Sequence, residues 1–320
     1  TCLRHLITKM PKKPRNLIHG WINLHKPSGI GSTQALSRVK RVLNPSKAGH
    51  AGTLDPLASG VLPIALGEAT KTVPFMQDRD KTYRFTVSWG SATTTDDSEG
   101  EVTQTSDHRP CEAEITALLP QFTGSITQIP PRFSAVKIDG QRAYDLARAG
   151  EEFEIKTREV RIDTLTLISA TKDAATFECL CGKGTYVRSL ARDMAVALGT
   201  FGHITALERM SVGPMRAEDA ISLDFFDKMA DKVFVNEVLL PLETVLDDIP
   251  ALPLEGRELQ DLRQGRYLTF LAPYQLNRLQ AAGLDGAENE TAAIFAANGV
   301  CTGLVSVNGV KIKPERLFNL

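Results

Sequence analysis

Residues 49–60 read Gly49-His50-Ala51-Gly52-Thr53-Leu54-Asp55-Pro56-Leu57-Ala58-Ser59-Gly60. A single carboxylate stands here in a glycine-rich bend. Gly52 and Gly60 permit tight turns and the close approach of a ligand, and Pro56 stiffens the chain just past the acid. The whole span 45–60 is expected to be loop. Upstream, residues 1–50 hold ten Lys or Arg and no Asp or Glu, so Asp55 is the first acid in the chain. An aspartate that only turns or caps a loop is the plain alternative. The crowding of His50, Asp55, Pro56 and three glycines in twelve residues favours a site.

Outward from this loop, the apolar pattern switches between periods of two and of 3.6. Upstream, a strand is expected over residues 18–24, then the turn Lys26-Pro27-Ser28-Gly29. A helix follows over 32–43, with Leu36, Val39 and Leu43 on one face and Ser32 as its cap. Downstream, residues 61–66 read as a short buried strand. Residues 81–89 alternate, with Tyr83, Phe85, Val87 and Trp89 on one face. A Thr- and Asp-rich turn covers 93–100, a helix lies near 112–119, 128–138 is extended and 141–149 looks helical. Strands are expected over 160–167 and 176–181. Thr185 is placed as the cap of a helix in which Val187, Leu190, Met194 and Leu198 recur, closed by Gly199. Short strands at 267–271, 292–295, 300–307 and 310–312, with Asn308-Gly309 as a hairpin turn, predict a small β-barrel or sandwich. The chain reads as α+β: a mixed, mainly antiparallel sheet with a second β-rich unit.

The chain has 320 residues, enough for about two domains. Apolar residues make up 42% and charged residues 23%, which excludes disordered, collagen-like and coiled-coil classes. No run approaches the 18 apolar residues of a membrane helix. The net charge of −1 conceals the basic first fifty residues and an acidic stretch over 217–263, with twelve acids against four bases. A basic face suits phosphates; a solvated, non-binding terminus is the alternative. Residues 1–15 are expected to be mobile, with Met10 a candidate natural start. Five cysteines without a CxxC suggest neither a disulfide framework nor a zinc knuckle. Cys179 and Cys181 read as buried thiols, and a reducing cytoplasm fits. Gly29-Ile30-Gly31 has Gln34 where a dinucleotide fingerprint needs glycine, and Gly182-Lys183 continues to Gly184 rather than Ser or Thr. No GxSxG elbow or metal-type histidine spacing exists.

The loop resembles the signature of the bacterial tRNA pseudouridine-55 synthase family, close to GHxGTLDPxAxGVLxxxxGxATK, and the match continues through Gly67, Ala69, Thr70 and Lys71. Further blocks follow in the family's order. They are Lys26-Pro27-Ser28-Gly29, then Lys81-Thr82-Tyr83 before Gly90, and the Thr93, Thr95, Asp97, Gly100 turn. Next come Pro130-Pro131-Arg132-Phe133-Ser134-Ala135-Val136-Lys137 and Gly182-Lys183-Gly184-Thr185-Tyr186-Val187-Arg188-Ser189-Leu190-Ala191-Arg192-Asp193. His25 stands where the family usually has Asp, and Ser59 where it has Thr.

The resemblance implies a flexible basic segment over 1–15, a catalytic domain over 16–246 and a small PUA-like RNA-binding domain over 247–320. The implied reaction isomerises one uridine of the T-arm stem-loop of tRNA, at position 55, to pseudouridine. It needs no cofactor and no metal, no membrane and no protein partner, in a cytoplasmic monomer. Asp55 is the implied nucleophile, a carboxylate acting much as in retaining glycosidases; attack at the sugar C1′ or at C6 of the base stays open. Arg188 is its implied cationic partner, where a surface arginine is the alternative. Tyr83 is implied to stack on a flipped uracil with its hydroxyl near the C5 proton, or else to be a core ring. His50 would replace lost base stacking. Tyr186, Leu207 and Gly52 would line the pocket, and Lys26 and Pro27 would brace the loop, with Lys26 also meeting phosphate. Residues 128–150, with Arg132, Lys137, Arg142 and Arg148, resemble a mobile arm that closes on RNA. Three competing readings remain: a glycosidase with Asp96 or Asp97 as second acid, a non-catalytic RNA binder, and a guide-RNA-dependent relative.

Overall fold

The computed structural model describes residues 14–134, 136–228, 235–284 and 286–320. The expected mobile segment, apart from Pro14 and Arg15, and the candidate start Met10 lie outside the described residues. Strand β1 (Gly20–Lys26) leads into helix α1 (Ser32–Leu43), then β2 (Ala48–His50) and β3 (Ser59–Leu66). Helix α2 (Val73–Asp78) precedes β4 (Lys81–Trp89), and a small hairpin of β5 (Ser91–Thr93) and β6 (Val102–Thr105) follows. Helix α3 (Glu112–Leu118) leads to β7 (Gly124–Gln128). The arm segment carries β8 (Lys137–Ile138), β9 (Gln141–Arg142) and α4 (Ala143–Arg148). Strands β10 (Arg158–Ala170) and β11 (Ala174–Cys181), helix α5 (Val187–Ala197) and β12 (Gly202–Val212) complete the centre. Short strands β13 (Met215–Arg216) and β14 (Ile221–Ser222) and helices α6 (Leu223–Lys228) and α7 (Val235–Val238) close the first unit.

One sheet runs in the order β14-β1-β3-β12-β4-β11-β10-β7, with β2 paired to β3 and β13 to β12. Only the β1–β14 and β3–β12 pairs are parallel. Strand β3 is an unbroken apolar run because both its faces are covered. Leu62, Ile64 and Leu66 join the cluster under α1 and α5, with Leu24, Val39, Phe85, Leu190 and Met194. Val61 and Ala65 join a second cluster on the other face. Strand β4 behaves as its alternation predicts: Phe85, Val87 and Trp89 are buried, and Phe85 stacks on Phe177 at 5.3 Å between ring centroids.

The second sheet contains β15 (Ala251–Pro253), β16 (Leu268–Thr269), β17 (Glu290–Phe295), β18 (Cys301–Asn308) and β19 (Lys311–Leu317), in the order β15-β17-β18-β19-β16. Helices α8 (Gly256–Arg263) and α9 (Pro273–Ala281) pack with it, elements that the strand-based expectation lacks. Ala293, Cys301, Leu304 and Phe318 share the second apolar cluster with Trp21, Val61 and Ala65. Lys71 Nζ donates to the Leu317 carbonyl at 2.6 Å, and the Asn319 N–H donates to Glu68 at 2.9 Å. The β-rich unit is thus bonded to the helical turn Gly67–Thr72 that follows β3. Among the described residues no helix is long and apolar enough to cross a membrane.

The structure corrects four local expectations. Residues 48–50 form an edge strand rather than loop, because Ala48, Gly49 and His50 pair with Leu66, Ala65 and Ile64. Gly31, not Ser32, occupies the cap position of α1; the Ser32 hydroxyl instead donates to Leu54 O. Tyr186 occupies the cap position of α5, while the Thr185 hydroxyl donates to Gly182 O. The last hairpin turns at Gly309-Val310, since Asn308 already pairs with Lys311; Gly309 at φ 59° suits the first position of a type II′ turn.

Candidate active site

The turn between β1 and α1 holds the Asp55 loop from one side. The Gly29 N–H donates to Pro56 O at 2.7 Å, and the Ser28 hydroxyl donates to Leu57 O at 2.8 Å. Ser32 both accepts from the Leu54 N–H and donates to the Leu54 carbonyl. Lys26 Nζ donates to the carbonyls of Pro27 at 2.9 Å and Ile30 at 2.7 Å. The side chain of Lys26 is wholly buried, and burial lowers its pKa to about 8 despite the pull of Asp55. Its ammonium has no route to a phosphate, so that part of the expectation fails. What it does is tie the turn to itself beneath the Asp55 loop.

From the other side comes Arg188, in the first turn of α5. Its Nη2 lies 2.9 Å from Asp55 Oδ2. Nη1 donates to Thr95 O and Nη2 to Phe133 O, each at 2.9 Å, and Nη1 is 3.7 Å from Asp97 Oδ2. One guanidinium therefore joins the Asp55 loop, the Thr-rich turn and the base of the arm. Arg188 is 5% exposed and Asp55 38%. The carboxylate is not sealed from water, contrary to a fully dry pocket: its cation is buried and its free side opens on a cavity.

That cavity measures about 310 Å³, at the small end of ligand sites. Asp55, Gly52, Tyr83, Tyr186, Arg188 and Leu207 all line it, together with Lys81, Ser134 and Arg209. Five stretches distant in sequence therefore converge on one hollow. Tyr83 is half-buried at the open end of the β4 apolar face, packed against the cluster that Phe85 belongs to. Burial pushes its phenol pKa up, against the pull of the nearby Arg209.

Pro27 is exposed in its turn and does not line the cavity. His50 does not line it either; it sits half-buried on β2, its Nδ1 without a hydrogen-bond partner among the described residues, held below the usual imidazole pKa by burial and then by Arg209. Neither Asp96 nor Asp97 faces the cavity. Asp97 is 2% exposed and accepts from Thr95 Oγ1 and the Glu99 N–H, while Asp96 pairs with Arg192 at 3.0 Å. The second free carboxylate that a glycosidase needs is missing from this hollow. Among the described residues no group of three His, Cys, Asp or Glu side chains is placed to hold a metal ion.

Two residues escaped the sequence reading. Arg209 is 1% exposed; its Nε donates to Val61 O at 2.7 Å and its Nη2 to Gly52 O at 3.0 Å. A Cβ at Gly52 would stand 3.3 Å from Arg209 Nη1, and one at Gly60 would strike the Arg209 backbone at 2.3 Å. The glycines of the loop are thus explained in part by one arginine. Its signal was there: Arg209 lies two residues past Leu207 in a strand, which puts both on one face. Lys81, two residues before Tyr83 on β4, donates to Gln77 O at 2.6 Å and to Arg79 O; burial and then Arg209 lower its pKa to about 8.

The sign of the Lys81 shift sets a pH dependence. Below about pH 8 the amine is charged in both the folded and unfolded chain, so its burial cost is constant. From about pH 8 to 10.5 the folded form has shed the proton and the unfolded form has not, so stability rises with pH. Denaturant unfolding of wild type and Lys81→Met across that window should show the difference moving in favour of wild type, with no such movement between pH 6 and 7.5.

The chain matches the model of the TruB family pseudouridylate synthase N-terminal domain over residues 40–187, and that of the tRNA pseudouridylate synthase B C-terminal domain over 188–247. It is 48% identical over 310 residues to the tRNA pseudouridine synthase B of Caulobacter sp. strain K31, covering 97% of this chain and 99% of that protein. The chain belongs to the TruB family. A second TruB relative, the tRNA pseudouridine synthase B of Bradyrhizobium diazoefficiens, is 50% identical over 315 residues, covering 97% of this chain and 88% of that one. The TruB fold is shared with a solved Cbf5-Nop10-Gar1 complex: TM-score 0.70, 23% identity, 94% of this chain and 85% of that chain. The N-terminal TruB model ends where α5 begins and the C-terminal one ends just short of β15.

Proposed function

We propose that this isomerase of tRNA uridine acts on position 55 in the loop of the T arm, with Asp55 as nucleophile and no cofactor. The observation that carries the reading is the Asp55–Arg188 pair, 2.9 Å apart at the wall of the cavity that the Tyr83 ring also lines. The reaction breaks the N1–C1′ bond, turns the detached ring, joins C5 to C1′, and returns to N1 the proton balance that C5 loses. Nothing is oxidised or reduced. Asp55, attacking C1′ or C6, forms a covalent adduct that is released when the new bond closes. Arg188 holds that carboxylate aimed. Tyr83 and Leu207 flank the extruded base.

RNA binding is ascribed to the basic first fifty residues, the arm with Arg132, Lys137, Arg142 and Arg148, and the unit over 247–320, with the catalytic domain over 16–246. The separate sheet beginning at Ala251 supports that division. Affinity that falls steeply with salt would fit phosphate contacts. We place the protein in the cytoplasm, with tRNA, and give it no obligatory protein or guide-RNA partner. The near-complete coverage of its curated relatives favours this over the guide-dependent reading that the shared fold suggests. Purified protein incubated with a bare T-arm stem-loop transcript decides the matter: pseudouridine at the loop position supports the proposal, and no product without added guide or partner overturns it.

Tyr83→Phe separates stacking from proton handling. The ring remains, so affinity for the stem-loop should hold, while turnover falls by roughly 10²-fold or more if the hydroxyl moves the C5 proton. Tritium release from a 5-tritiated uridine substrate reads that step directly, and a wild-type rate would give the proton to another group.

A further inference from the structure

Ser134 stands at the root of the arm, 4% exposed, and its hydroxyl is a buried side-chain oxygen without a hydrogen-bond partner among the described residues. Buried polar groups are rarely left so. The residue lines the same cavity as Asp55 and Tyr83. The backbone around it is held at both ends: Phe133 O accepts from Arg188 at 2.9 Å, and Ser134 O accepts from the Tyr144 N–H at 3.0 Å. Several other polar side chains of the lining are already engaged. Asp55 pairs with Arg188, Arg209 is spent on Val61 and Gly52, Lys81 on Gln77 and Arg79, and the Thr185 hydroxyl on Gly182.

We propose that the Ser134 hydroxyl donates to an exocyclic carbonyl of the uracil and keeps that bond through the isomerisation. This rests on the function proposed above. The reaction must bring C5 to the place N1 held, which a half-turn about the N3–C6 axis achieves. The same half-turn exchanges C4 with C2, so O2 arrives where O4 stood. A hydroxyl donor fixed in the wall therefore meets a carbonyl before and after the turn, whereas a paired donor and acceptor reading the N1 or C5 edge would fit only one state. Ser134 is thus a group that grips the detached base without resisting its rotation.

The test crosses the side chain with the substrate atom. Full-length wild type, Ser134→Ala and Ser134→Cys are assayed in single turnover on T-arm stem-loops carrying uridine, 4-thiouridine or 2-thiouridine at the target, since sulfur accepts hydrogen bonds poorly. Ser134→Ala should slow the uridine substrate by about tenfold, the scale of one lost neutral hydrogen bond at a buried site, with unchanged stem-loop affinity and melting temperature. Ser134→Cys, a weaker donor of similar size, should fall between. At least one thio-substitution should slow wild type and slow Ser134→Ala no further. Equal thio effects in the two proteins, including none in either, or a wild-type rate for Ser134→Ala, overturn the proposal. Absence of product from wild type on the uridine substrate instead overturns the functional reading beneath it.

Discussion

Asp55→Asn is expected to abolish pseudouridine formation while leaving affinity for the T-arm stem-loop intact. The substitution is nearly isosteric, and the amide oxygen can still accept from Arg188 Nη2, 2.9 Å from the wild-type Oδ2. What it removes is the ionised oxygen that forms the covalent bond, because a neutral amide is a poor nucleophile at carbon. The loss should reach roughly 10⁴-fold or more, the scale seen when a nucleophile is deleted from a site whose other parts remain. Affinity is set by cations facing phosphates, and a carboxylate there contributes repulsion if anything. Product assayed by mass spectrometry, beside filter binding of the same stem-loop, checks both halves. Wild-type turnover by Asp55→Asn would falsify the nucleophile assignment, and a non-catalytic RNA binder predicts no change in either assay.

Arg188→Ala should have the second-largest effect, on two observables at once. Turnover should fall by roughly 10³-fold, because the variant removes the cation that orients Asp55. The fold should also weaken, with a lower melting temperature, since Asp97 at 2% exposure loses its guanidinium and Phe133 O loses its donor. Arg188→Lys separates the two. Lysine keeps the charge but cannot form the fork that reaches Asp55, Thr95 and Phe133 together, so stability should recover more than turnover. Calorimetry and single-turnover rates on the three proteins read this. Full activity in Arg188→Ala would sink the pairing.

Much of this site was legible because the groups lie in short, chemically odd stretches. Asp55 stood out as the first acid after ten basic residues, and Tyr83 as the first ring of an alternating strand. Period-two alternation also gave β4 its apolar face. Lys26 misled, because a lysine beside a turn normally reaches solvent, and only the pairing of β1 with β3, which sets Lys26 against Gly60, shows it fully buried. Arg209 was overlooked for a similar reason, with no strand expected over 202–212. A lone arginine in a strand looks like a solvent-facing position until Gly52 and Gly60 are seen to leave room for it. The cap positions of α1 and α5 were each placed one residue out, because Ser32 and Thr185 found backbone carbonyls of neighbouring loops instead.

Local order by itself determined many of the elements, β4 and α1 among them, the glycine-rich acidic loop and the chemistry that its carboxylate can perform, since these follow from periodicity, backbone freedom and side-chain type; it did not show β12, α8 or α9. Only the tertiary structure decided that Arg188, which local pattern leaves a surface arginine, meets Asp55, that Asp97 is buried behind it, and that Ser134 is brought from the arm to the same wall. Those partners lie 133, 42 and 79 positions away in the chain, and distance along the sequence carries no signal for a contact that sheet order and strand register alone create.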